Sequence, residues 1–474
     1  MRYDLLSNLE LSSDRDWLWC DKVEKSNINS QISPLQNCSQ DLFKLTKQRI
    51  EQILSFKKNS DRRFKIVIVE AKLIKFLAAF MAASITETDV FLCDPNWQDW
   101  EWQQVVDIVQ PDLVFGKQTI KDLTPQVILQ NHNFVKQGLI MIPTGGTSGK
   151  IKFAIHSWST LSASVMGFQN YFDCQEINSF CTLPLYHVSG LMQFMRSWLT
   201  SGKLIICPYK MLKTKRQIIN PQNFFISLVP TQLQSLIDLI PNWLNKFKTV
   251  LLGGAPATRS LLNRARKYQI PLAPTYGMTE TASGIVTLKP EDFLNNNSSN
   301  GRVLSHAEIT IKSETNSQEE NNIGLIQINA NSLFWGYYPQ FFHKDRVFVT
   351  DDLGYFDREG YLYLVGRNSH KIITGGENVY PAEVEEVILA TKLVEDVCII
   401  GTSDRHWGQA VTAVYVPLST QPDLELIKTI IKSQLAKYKQ PKYWISVDRL
   451  PRNNRGKLNY QKVREILNGR TTNN

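Results

Sequence analysis

The sequence predicts an α/β protein: a large N-terminal domain of doubly wound layers with a small β unit, followed by a small α+β C-terminal domain. Apolar strand-like runs alternate with helical patterns from Phe64 onward, which is typical of parallel layers. Polar, turn-rich breaks at residues 295–300 and 313–322 separate this region from short β segments. Beyond residue 371 the pattern restarts for roughly 105 residues of mixed α and β, a natural size for a domain.

The elements of the large domain are predicted from hydrophobic periodicity. In order, they are strand 64–69, helix 71–84, strand 90–93, helix 97–109, strand 113–115, helix 158–172 and strands 180–185, 226–229, 249–252 and 273–276. The small β unit receives strands 308–311, 324–329, 347–350 and 361–365. The C-terminal domain receives strand 371–374, helix 381–390, strands 394–400 and 411–416, helix 424–435, strand 443–447 and helix 460–467.

We place the domain boundary at residues 367–371, between a large domain of residues 1–366 and a small domain of residues 372–474. Residues 1–60 carry mixed helical signals with a polar patch, and no role is assigned to them.

Composition narrows the function classes. Lys and Arg number 53 and Asp and Glu 44, a net charge of +9 that is spread along the chain. No basic-aromatic repeat or zinc-finger spacing occurs, so we expect phosphate-bearing small molecules as partners and no nucleic acid. The seven cysteines are scattered without a CxxC pair, which favours a reducing compartment and argues against a disulfide framework or a zinc site. The apolar run at residues 76–85 is too short to span a bilayer. We expect a soluble, cytoplasmic protein, whose oligomeric state the sequence does not indicate.

A glycine-rich segment, MIPTGGTSGKIKFAIHS at residues 141–157, follows an apolar run. Glycine lets backbone N–H groups approach an anion, hydroxyls donate hydrogen bonds, and lysine neutralises charge. The segment is not a Walker A loop, because only three residues separate Gly145 from Gly149 and Ile151 follows Lys150. It therefore indicates a phosphate-binding loop outside the kinase and GTPase pattern, and a flexible surface turn is the alternative.

Small, hydroxyl or ionisable residues follow three further predicted strands. These segments are Tyr186-His187-Val188-Ser189-Gly190, Gly253-Gly254-Ala255-Pro256 and Gly277-Met278-Thr279-Glu280-Thr281. Since ligands bind at the carboxyl ends of strands in such layers, we expect these segments and the glycine-rich loop to share one cleft.

These motifs, in this order, resemble the acyl-adenylate-forming (AMP-binding) superfamily over nearly the whole chain from about Phe64. The matching segments are the phosphate loop Thr144–Lys152, Tyr276–Glu280, Thr350–Asp352, the hinge and glycine loop Gly366–Pro381, and the lysine motif Pro451–Lys457. Within the superfamily, Pro184–Leu191, Tyr276–Ser283 and Gly375–Pro381 look most like o-succinylbenzoate–CoA ligases.

The resemblance implies an ATP-dependent aryl-CoA ligase that uses Mg²⁺ and coenzyme A. Its expected reaction converts 2-succinylbenzoate, ATP and CoA to 2-succinylbenzoyl-CoA, AMP and diphosphate through an acyl adenylate, in menaquinone or phylloquinone biosynthesis. Two alternatives stay open: adenylation of another aryl or acyl acid for CoA or a carrier protein, and a non-catalytic nucleotide-binding homologue.

The resemblance also assigns roles to individual residues. The β- and γ-phosphates of ATP would be bound by Thr144, Gly146, Thr147, Ser148, Gly149 and Lys152, and Thr279 would donate to the α-phosphate. Mg²⁺ goes to Glu280, the ribose to Asp352 and Arg367, and the adenine to Gly254, Ala255, Pro256 and Tyr276, with Gly277 beside the nucleotide. Lys457 bridges the carboxylate and the α-phosphate. Each has a plain structural alternative: a turn for Gly254–Pro256, the core for Tyr276, a salt-bridged linker for Arg367, and an exposed charge for Glu280 and Lys457.

For the second half-reaction the resemblance implies that the small domain is mobile and rotates about a hinge at Ser369. Gly375, Gly376 and Glu377 would line the pantetheine tunnel, and His187 would contact phosphate in one state and open the tunnel in the other. A structural histidine is the alternative for His187. The acid would be bound by residues among His187, Ser189, Gly190, Gly277, Thr281 and Ser283.

The chain departs from the family pattern at five positions. Gly145, Ser148, Ile151 and Phe153 replace serine, threonine, proline and glycine of the phosphate loop, and Asp351 replaces the glycine of Thr-Gly-Asp. Lys152 and Asp352 are retained, so we expect altered loops with binding preserved. Asp351 itself is expected to be a solvated turn residue.

Overall fold

A computed structural model describes residues 5–20, 35–57, 63–116, 138–144, 150–212, 220–313, 322–342, 347–419, 423–452 and 458–471. In these ranges the chain forms 25 β-strands and 14 α-helices.

The strands, in chain order, are β1 Leu18–Cys20, β2 Gln36–Asn37, β3 Lys65–Val69, β4 Asp89–Leu92, β5 Leu113–Gly116, β6 Ile140–Thr144, β7 Lys152–His156, β8 Asn178–Cys181, β9 Leu204–Ile206, β10 Phe224–Leu228, β11 Thr249–Leu252, β12 Leu272–Met278, β13 Ser283–Thr287, β14 Arg302–Val303, β15 Ala307–Lys312, β16 Gly324–Ala330, β17 Gly336–Tyr337, β18 Gln340–Phe341, β19 Phe348–Phe356, β20 Leu362–Arg367, β21 Ile372–Thr374, β22 Glu377–Val379, β23 Val394–Asp404, β24 Gly408–Pro417 and β25 Tyr443–Ser446.

The helices are α1 Leu5–Ser13, α2 Ser39–Lys57, α3 Leu73–Ile85, α4 Asp99–Val109, α5 Trp158–Phe172, α6 Val188–Leu199, α7 Tyr209–Leu212, α8 Pro230–Leu239, α9 Pro241–Leu244, α10 Arg259–Lys267, α11 Pro290–Leu294, α12 Pro381–Ala390, α13 Leu424–Lys432 and α14 Tyr460–Thr471.

Two large mixed sheets form the first part of the molecule. The nine-stranded sheet has the order β14-β13-β12-β11-β10-β8-β9-β1-β2, and its strands from β12 to β1 are parallel. The seven-stranded sheet has the order β18-β17-β7-β6-β4-β3-β5, in which β6, β4, β3 and β5 are parallel. Antiparallel strands complete both edges of the nine-stranded sheet and the β18 edge of the seven-stranded sheet, whose other edge is the parallel strand β5. The doubly wound prediction is therefore confirmed for the centres of the sheets.

Two smaller sheets follow. Strands β15, β16, β19 and β20 form an antiparallel sheet in that order, which confirms the predicted small β unit. Strands β21–β25 form a five-stranded sheet, in which β24 pairs with β21, β23 and β25. Helices α12 and α13 pack on this last sheet through one apolar cluster, so the C-terminal residues have a core of their own.

A single apolar cluster joins the two large sheets. It includes the buried face of α3, residues of α6, and strands from both sheets. Phe80 of α3 lies at its centre, with its ring 6.0 Å from that of Phe194 on α6 and 6.3 Å from that of Trp158. Nearly every residue of α3 from Phe76 to Ala83 is fully buried, as a helix between two sheets requires. Within the described ranges, none of the helices combines the length and apolarity that crossing a bilayer requires.

Helices α5 and α12 and strand β11 have their predicted bounds. Most of the other predicted elements differ from the structure at one or both ends; the strand predicted at 347–350, for example, is β19, Phe348–Phe356. Two of these differences have a visible cause: the strand predicted at 180–185 ends at Cys181, and the strand predicted at 273–276 continues to Met278. In both cases the neighbouring strands decide the length, because β8 ends where its pairing with β9 ends and β12 continues by pairing with β13.

The cysteine prediction needs a correction, because Cys20 and Cys38 form a disulfide. Strand β1 pairs antiparallel with β2, and Cys38 directly follows β2 and donates its N–H to Leu18 O at 2.8 Å. This pairing brings together two cysteines whose spacing in the sequence carries no disulfide signal. The hairpin-like pair also extends the nine-stranded sheet, a role that the N-terminal sequence did not reveal.

Two of the altered loop positions have structural reasons. Phe153 is fully buried, with its ring 5.2 Å from that of Phe91, and belongs to the cluster that packs α4 on the seven-stranded sheet. The N–H of Ile151 donates to Gln104 Oε1 at 3.1 Å, a bond that proline has no N–H to make.

We predict that Phe153→Ala destabilises the protein by about 3–5 kcal/mol, because it leaves a cavity in a fully buried aromatic cluster. Urea unfolding, followed by circular dichroism, measures this change. Met166→Ala, at a side chain of α5 that is 57% exposed, is the control and should shift the free energy by less than about 0.5 kcal/mol. Equal effects of the two substitutions would contradict the assigned packing.

Candidate active site

The glycine-rich loop connects β6 and β7, and the two strand residues at the ends of the loop face each other. Thr144 at the end of β6 is paired with Lys152 at the start of β7. The predicted phosphate residues Gly146, Thr147, Ser148 and Gly149 lie outside the described residues, as does Lys457. The loop therefore begins at the carboxyl end of a parallel strand, as predicted, with Lys152 opposite Thr144.

The Tyr276–Glu280 motif lies at the end of β12, in the other large sheet. Gly277 is required there, because a Cβ at this position would overlap Ser283 O of the neighbouring strand β13. A 3-10 turn, Thr279–Thr281, connects the two strands. Ala282 and Ser283 follow it with φ of 51° and 93°, a backbone conformation that side-chain-bearing residues rarely adopt. The motif thus forms a tight, strained corner.

Three hydrogen bonds attach this corner to residues from the seven-stranded sheet and its flanking segments. His156 Nε2, at the end of β7, lies 2.8 Å from Thr279 O. The N–H of Phe334 donates to Glu280 O at 2.8 Å, and Tyr337 Oη of β17 donates to Glu280 Oε1 at 2.6 Å. Both the backbone and the carboxylate of Glu280 are therefore fixed.

His156 is fully buried, and desolvation lowers its pKa to about 4. It is neutral at pH 7, and because a carbonyl oxygen only accepts, its Nε2 carries the proton that is donated to Thr279 O. Nδ1 lies 3.0 Å from Thr160 Oγ1 of α5. His156 thus connects α5 to the Thr279 turn, and the sequence analysis did not identify it.

Tyr337 interacts with two predicted site residues, Lys152 at the phosphates and Glu280 at the metal. Its register partner is Ala154 of β7, and Lys152 Nζ lies 5.4 Å from the centre of its ring. Burial, and then the charge of Glu280, raises the pKa of the Tyr337 hydroxyl, so it stays protonated and remains a donor. The sequence analysis placed no role on Tyr337, since a tyrosine after glycine has no distinctive spacing.

The predicted nucleoside residues Tyr276, Asp352 and Arg367 form one network. Tyr276 Oη donates to Asp352 Oδ2 at 2.9 Å, and Arg367 Nε lies 3.2 Å from Asp352 Oδ1. The backbone N–H of Asp352 also donates to Thr350 Oγ1 at 3.0 Å. Burial, and then Asp352, raises the pKa of Tyr276, which keeps its hydroxyl a donor. The carboxylate of Asp352 is thereby held in one orientation.

The segment Gly254–Pro256 follows β11, next to β12 in the sheet. Leu252 of β11 faces Pro274 of β12, so the segment lies beside the Tyr276 strand end. Gly254 has φ of 82°, which permits the turn there. The structure thus brings the predicted adenine residues to the same strand edge as Tyr276.

Asp351 requires a correction, because it is more than a solvated turn residue. Its carboxylate accepts two hydrogen bonds from Ser369, from the backbone N–H at 3.0 Å and from Oγ at 2.5 Å. A glycine at this position would have no side chain to accept them. The departure from Thr-Gly-Asp therefore adds a contact to the predicted hinge residue.

The predicted tunnel residues Gly375 and Gly376 form the two-residue turn between β21 and β22. Their φ angles are 58° and 86°, which glycine adopts readily in hairpin turns. The N–H of Gly375 donates to Trp407 O at 2.9 Å, and a Cβ there would press on the Trp407 ring. Glu377 begins β22 and is exposed.

The predicted acid-binding residues occupy two elements. His187 and Ser189 lie at the start of α6, where the rings of His187 and Tyr186 are 4.5 Å apart and Ser189 O accepts from Gln193 Nε2 at 2.9 Å. Thr281 is fully buried, and its hydroxyl lies 2.7 Å from Ser283 O, so that side chain is engaged within the corner.

Arg196 is the main residue that the sequence analysis missed. It lies in α6, is 5% exposed, and its Nη2 donates to Ser283 Oγ at 3.2 Å. No carboxylate in the described part of the chain forms an ion pair with it, and its buried Nε has no hydrogen-bond partner. Burial lowers its pKa to about 10, so it is charged at neutral pH. Arg196 is the one charged residue in the largely apolar run Leu191–Trp198, and this is the signal that would have identified it.

Glu280 is the predicted ligand of Mg²⁺. No group of three His, Cys, Asp or Glu side chains suited to a metal occurs within the described ranges. A single fixed carboxylate nevertheless fits Mg²⁺, which keeps several waters and is held by one or two carboxylates together with substrate phosphates.

Two family models match the chain. The AMP-binding enzyme model matches residues 54–338, more than half of the chain, and the AMP-binding enzyme C-terminal domain model matches residues 383–457. Among curated relatives, the 2-succinylbenzoate–CoA ligase of Listeria monocytogenes is 32% identical over 442 residues, 90% of this chain and 91% of that protein. The ligase of the same name from Bacillus subtilis is 30% identical over 389 residues, 80% of this chain and 78% of that protein.

Solved structures are similar over nearly the whole chain. The o-succinylbenzoate CoA synthetase of Bacillus subtilis, in complex with the acyl-adenylate intermediate OSB-AMP, has a TM-score of 0.81 and 26% identity, with 97% of each chain covered. The same synthetase in complex with ATP and a magnesium ion has a TM-score of 0.80 and 25% identity, with 97% of this chain and 99% of that chain covered. These matches confirm the resemblance that the motifs indicated, and the chain belongs to the AMP-binding enzyme family.

Proposed function

We propose that the protein is an AMP-forming acid–thiol ligase that joins 2-succinylbenzoate to coenzyme A with ATP. The acid first forms an acyl adenylate and releases diphosphate, and the CoA thiol then displaces AMP to give 2-succinylbenzoyl-CoA, a step of menaquinone or phylloquinone synthesis. Two observations support this reaction: the chain belongs to the AMP-binding enzyme family, and it matches relatives named 2-succinylbenzoate–CoA ligase over most of their length. The observation that carries the choice of a dicarboxylic acid is the buried, unpaired charge of Arg196.

A buried guanidinium without an anionic partner is unfavourable, because its lost hydration is not replaced. Arg196 contacts Ser283, which faces Met278 in the β12–β13 register and so lies next to the Thr279 turn. An acid activated at that turn would place a second carboxylate toward Arg196. A monocarboxylic acid would leave the cation unpaired.

Adenylation joins two anions, so positioned cations and hydrogen-bond donors provide most of the catalysis. In this proposal a carboxylate oxygen attacks the α-phosphorus of ATP and diphosphate leaves. Thr144 and Lys152, with the loop residues Gly146, Thr147, Ser148 and Gly149, hold the β- and γ-phosphates. Thr279 donates to the α-phosphate, and Lys457 bridges the carboxylate and the α-phosphate. The pairing of Thr144 with Lys152 supports this role, because it puts a hydroxyl and a cation at one loop entrance.

The nucleoside is held by the Tyr276 network. Asp352 accepts the two ribose hydroxyls, Arg367 supports its carboxylate, and the adenine lies between Tyr276 and the Gly254–Pro256 turn, beside Gly277. The fixed orientation of Asp352 supports this assignment, since a ribose diol needs two acceptor oxygens in place before it binds.

Glu280 would hold Mg²⁺ together with the substrate phosphates. The ion, when bound, supplies charge neutralisation at the phosphate oxygens. The chain's own contribution is positioning: Tyr337 fixes the carboxylate of Glu280 through a 2.6 Å hydrogen bond. Lys152, close to the Tyr337 ring, adds positive charge on the same side.

In the second half-reaction the sulfur of CoA attacks the acyl carbon, the bond to AMP breaks, and the thiol proton is lost. We propose that residues 372–474 rotate relative to residues 1–366 about a hinge at residues 367–371, which removes Lys457 from the site. Gly375, Gly376 and Glu377 then line the pantetheine path, and His187 at the start of α6 gates it. The acid itself contacts α6 and β13 through Ser189, Gly190 and Ser283, near Thr281. We also propose a cytoplasmic location, because ATP and CoA are available there.

The reaction is tested by diphosphate release with a panel of carboxylic acids, each with ATP and Mg²⁺, with and without CoA. We expect release with 2-succinylbenzoate, and thioester formation once CoA is added. Release without any thioester would instead indicate transfer to a carrier-protein thiol, and no release with any acid would indicate a non-catalytic nucleotide-binding protein.

We predict that Lys457→Ala slows adenylation by about 10²–10³-fold, because it removes a cation from the developing charge. Thioester formation from presynthesised acyl adenylate and CoA should change less than about threefold, since the lysine is absent from that state. Single-turnover assays of each half-reaction measure the two effects. Lys462→Ala, at an exposed lysine of α14, is the matched control. Equal slowing of both half-reactions would contradict the role given to Lys457.

We predict that Arg196→Met raises the KM for 2-succinylbenzoate by about 10–100-fold, as expected for loss of a charged hydrogen bond. The KM for ATP should stay unchanged, because Arg196 contacts no nucleotide residue. The analogue 4-oxo-4-phenylbutanoate lacks the ring carboxylate, and its KM should not rise. Arg196→Lys, which keeps the charge, should fall between the wild type and Arg196→Met. An identical rise for both acids would show that Arg196 is structural only.

A further inference from the structure

His306 is another buried polar side chain with unsatisfied nitrogen atoms. It lies in the loop between β14 and β15 and is 8% exposed, and neither of its ring nitrogens has a hydrogen-bond partner among the residues that the structure describes. Its backbone does form a hydrogen bond, since His306 O accepts from the N–H of Asn331 at 3.0 Å. Two unpaired ring nitrogens in a buried site cost stability, which calls for a physical reason.

The ring of His306 packs against bare backbone on α5. A Cβ at Gly167 would overlap the ring, so glycine at that position makes the space that the imidazole fills. The next residue of α5, Phe168, carries the guanidinium of Arg196 over its ring, with Arg196 Cζ 4.0 Å from the ring centre. Two adjacent residues of α5 therefore support His306 and Arg196, which come from separate elements.

Arg196 is the charged group that acts on His306 among the described residues. Burial, and then the positive charge of Arg196, lowers the pKa of His306 to about 4, so the imidazole is neutral at pH 7. A neutral imidazole has one N–H donor and one acceptor nitrogen. Of the residues that the structure describes, none supplies an anionic partner to the donor nitrogen, the guanidinium or the Ser283 hydroxyl in this region.

We propose that His306 is a specificity-determining residue that donates a ring N–H to the same non-reacting carboxylate that Arg196 binds. A carboxylate offers two oxygens and about four lone-pair sites, so it accepts from Arg196, Ser283 and His306 together. This inference rests on the proposed function, because it needs an acid with a second carboxylate. A histidine with a purely structural role would fill the space beside Gly167 and affect all acids equally.

The test compares His306→Phe and His306→Gln with the wild type. Phenylalanine keeps a ring against Gly167 and removes both nitrogens, whereas glutamine keeps an N–H donor. KM and kcat are measured by diphosphate release for 2-succinylbenzoate, for 4-oxo-4-phenylbutanoate and for ATP. We expect His306→Phe to raise the KM for 2-succinylbenzoate about tenfold and to leave the other two KM values within about twofold. His306→Gln should recover part of the loss. His406→Gln, at an exposed histidine, is the control for the substitution itself.

An unchanged KM for 2-succinylbenzoate in His306→Phe, or an equal rise for both acids, would overturn the inference. Urea unfolding of each variant checks the fold. If His306→Phe does not fold, His306→Leu replaces it, because leucine is smaller and also lacks both nitrogens, and an unaltered KM ratio of the two acids in that variant would overturn the inference as well. Failure of the proposed function gives a different result, because the wild type itself would then show no preference for 2-succinylbenzoate over its monocarboxylic analogue.

Discussion

The turn Thr279–Thr281 is the point at which residues of the seven-stranded sheet are tied to the nine-stranded sheet. His156 and Tyr337, both on strands of the seven-stranded sheet, bind its backbone and its carboxylate, and Phe334 adds a third bond. These bonds help to hold the strained backbone at Ala282 and Ser283, together with the hydrogen bond from Ser164 Oγ to Ala282 O at 2.7 Å. Because the glycine-rich loop also begins on β6 and β7, the same contacts set the distance between the phosphate loop and the end of β12. The geometry of the candidate active site therefore depends on how the two sheets are positioned relative to each other.

The two ends of the site differ in how their polar groups are satisfied. At the proposed nucleoside end, Tyr276 and Arg367 both bind the carboxylate of Asp352, so the proposed ribose acceptor is already held in position. At the proposed acid end, Arg196 and His306 are buried and lack anionic partners within the described ranges of the chain. A satisfied network stabilises the fold, whereas an unsatisfied one lowers stability until a complementary ligand arrives. In the proposed enzyme, the nucleotide-binding residues would therefore contribute to the stability of the fold, and the acid-binding residues would contribute to selectivity.

Three of the five departures from the family pattern have local physical causes. Phe153 replaces a glycine and fills a core position, and Ile151 replaces a proline and supplies an N–H to Gln104. Asp351 replaces a glycine and accepts two hydrogen bonds from Ser369. Each change adds a contact at the border of the site and leaves Lys152 and Asp352 in register. These substitutions change the contacts around the site and are compatible with retained binding of a nucleotide.

The sequence by itself determined the alternation of strands and helices, the small β unit and the order of the motifs, because periodicity and turn residues are local properties. Helices α5 and α12 have their predicted bounds, and Tyr276, Asp352 and Arg367, predicted as one group, lie together. Only the tertiary structure decided that β1 extends the nine-stranded sheet, that Cys20 meets Cys38, and that Arg196, Ser283 and His306 share one region. Those contacts join elements that are distant in the chain, and no local pattern encodes the packing that brings them together.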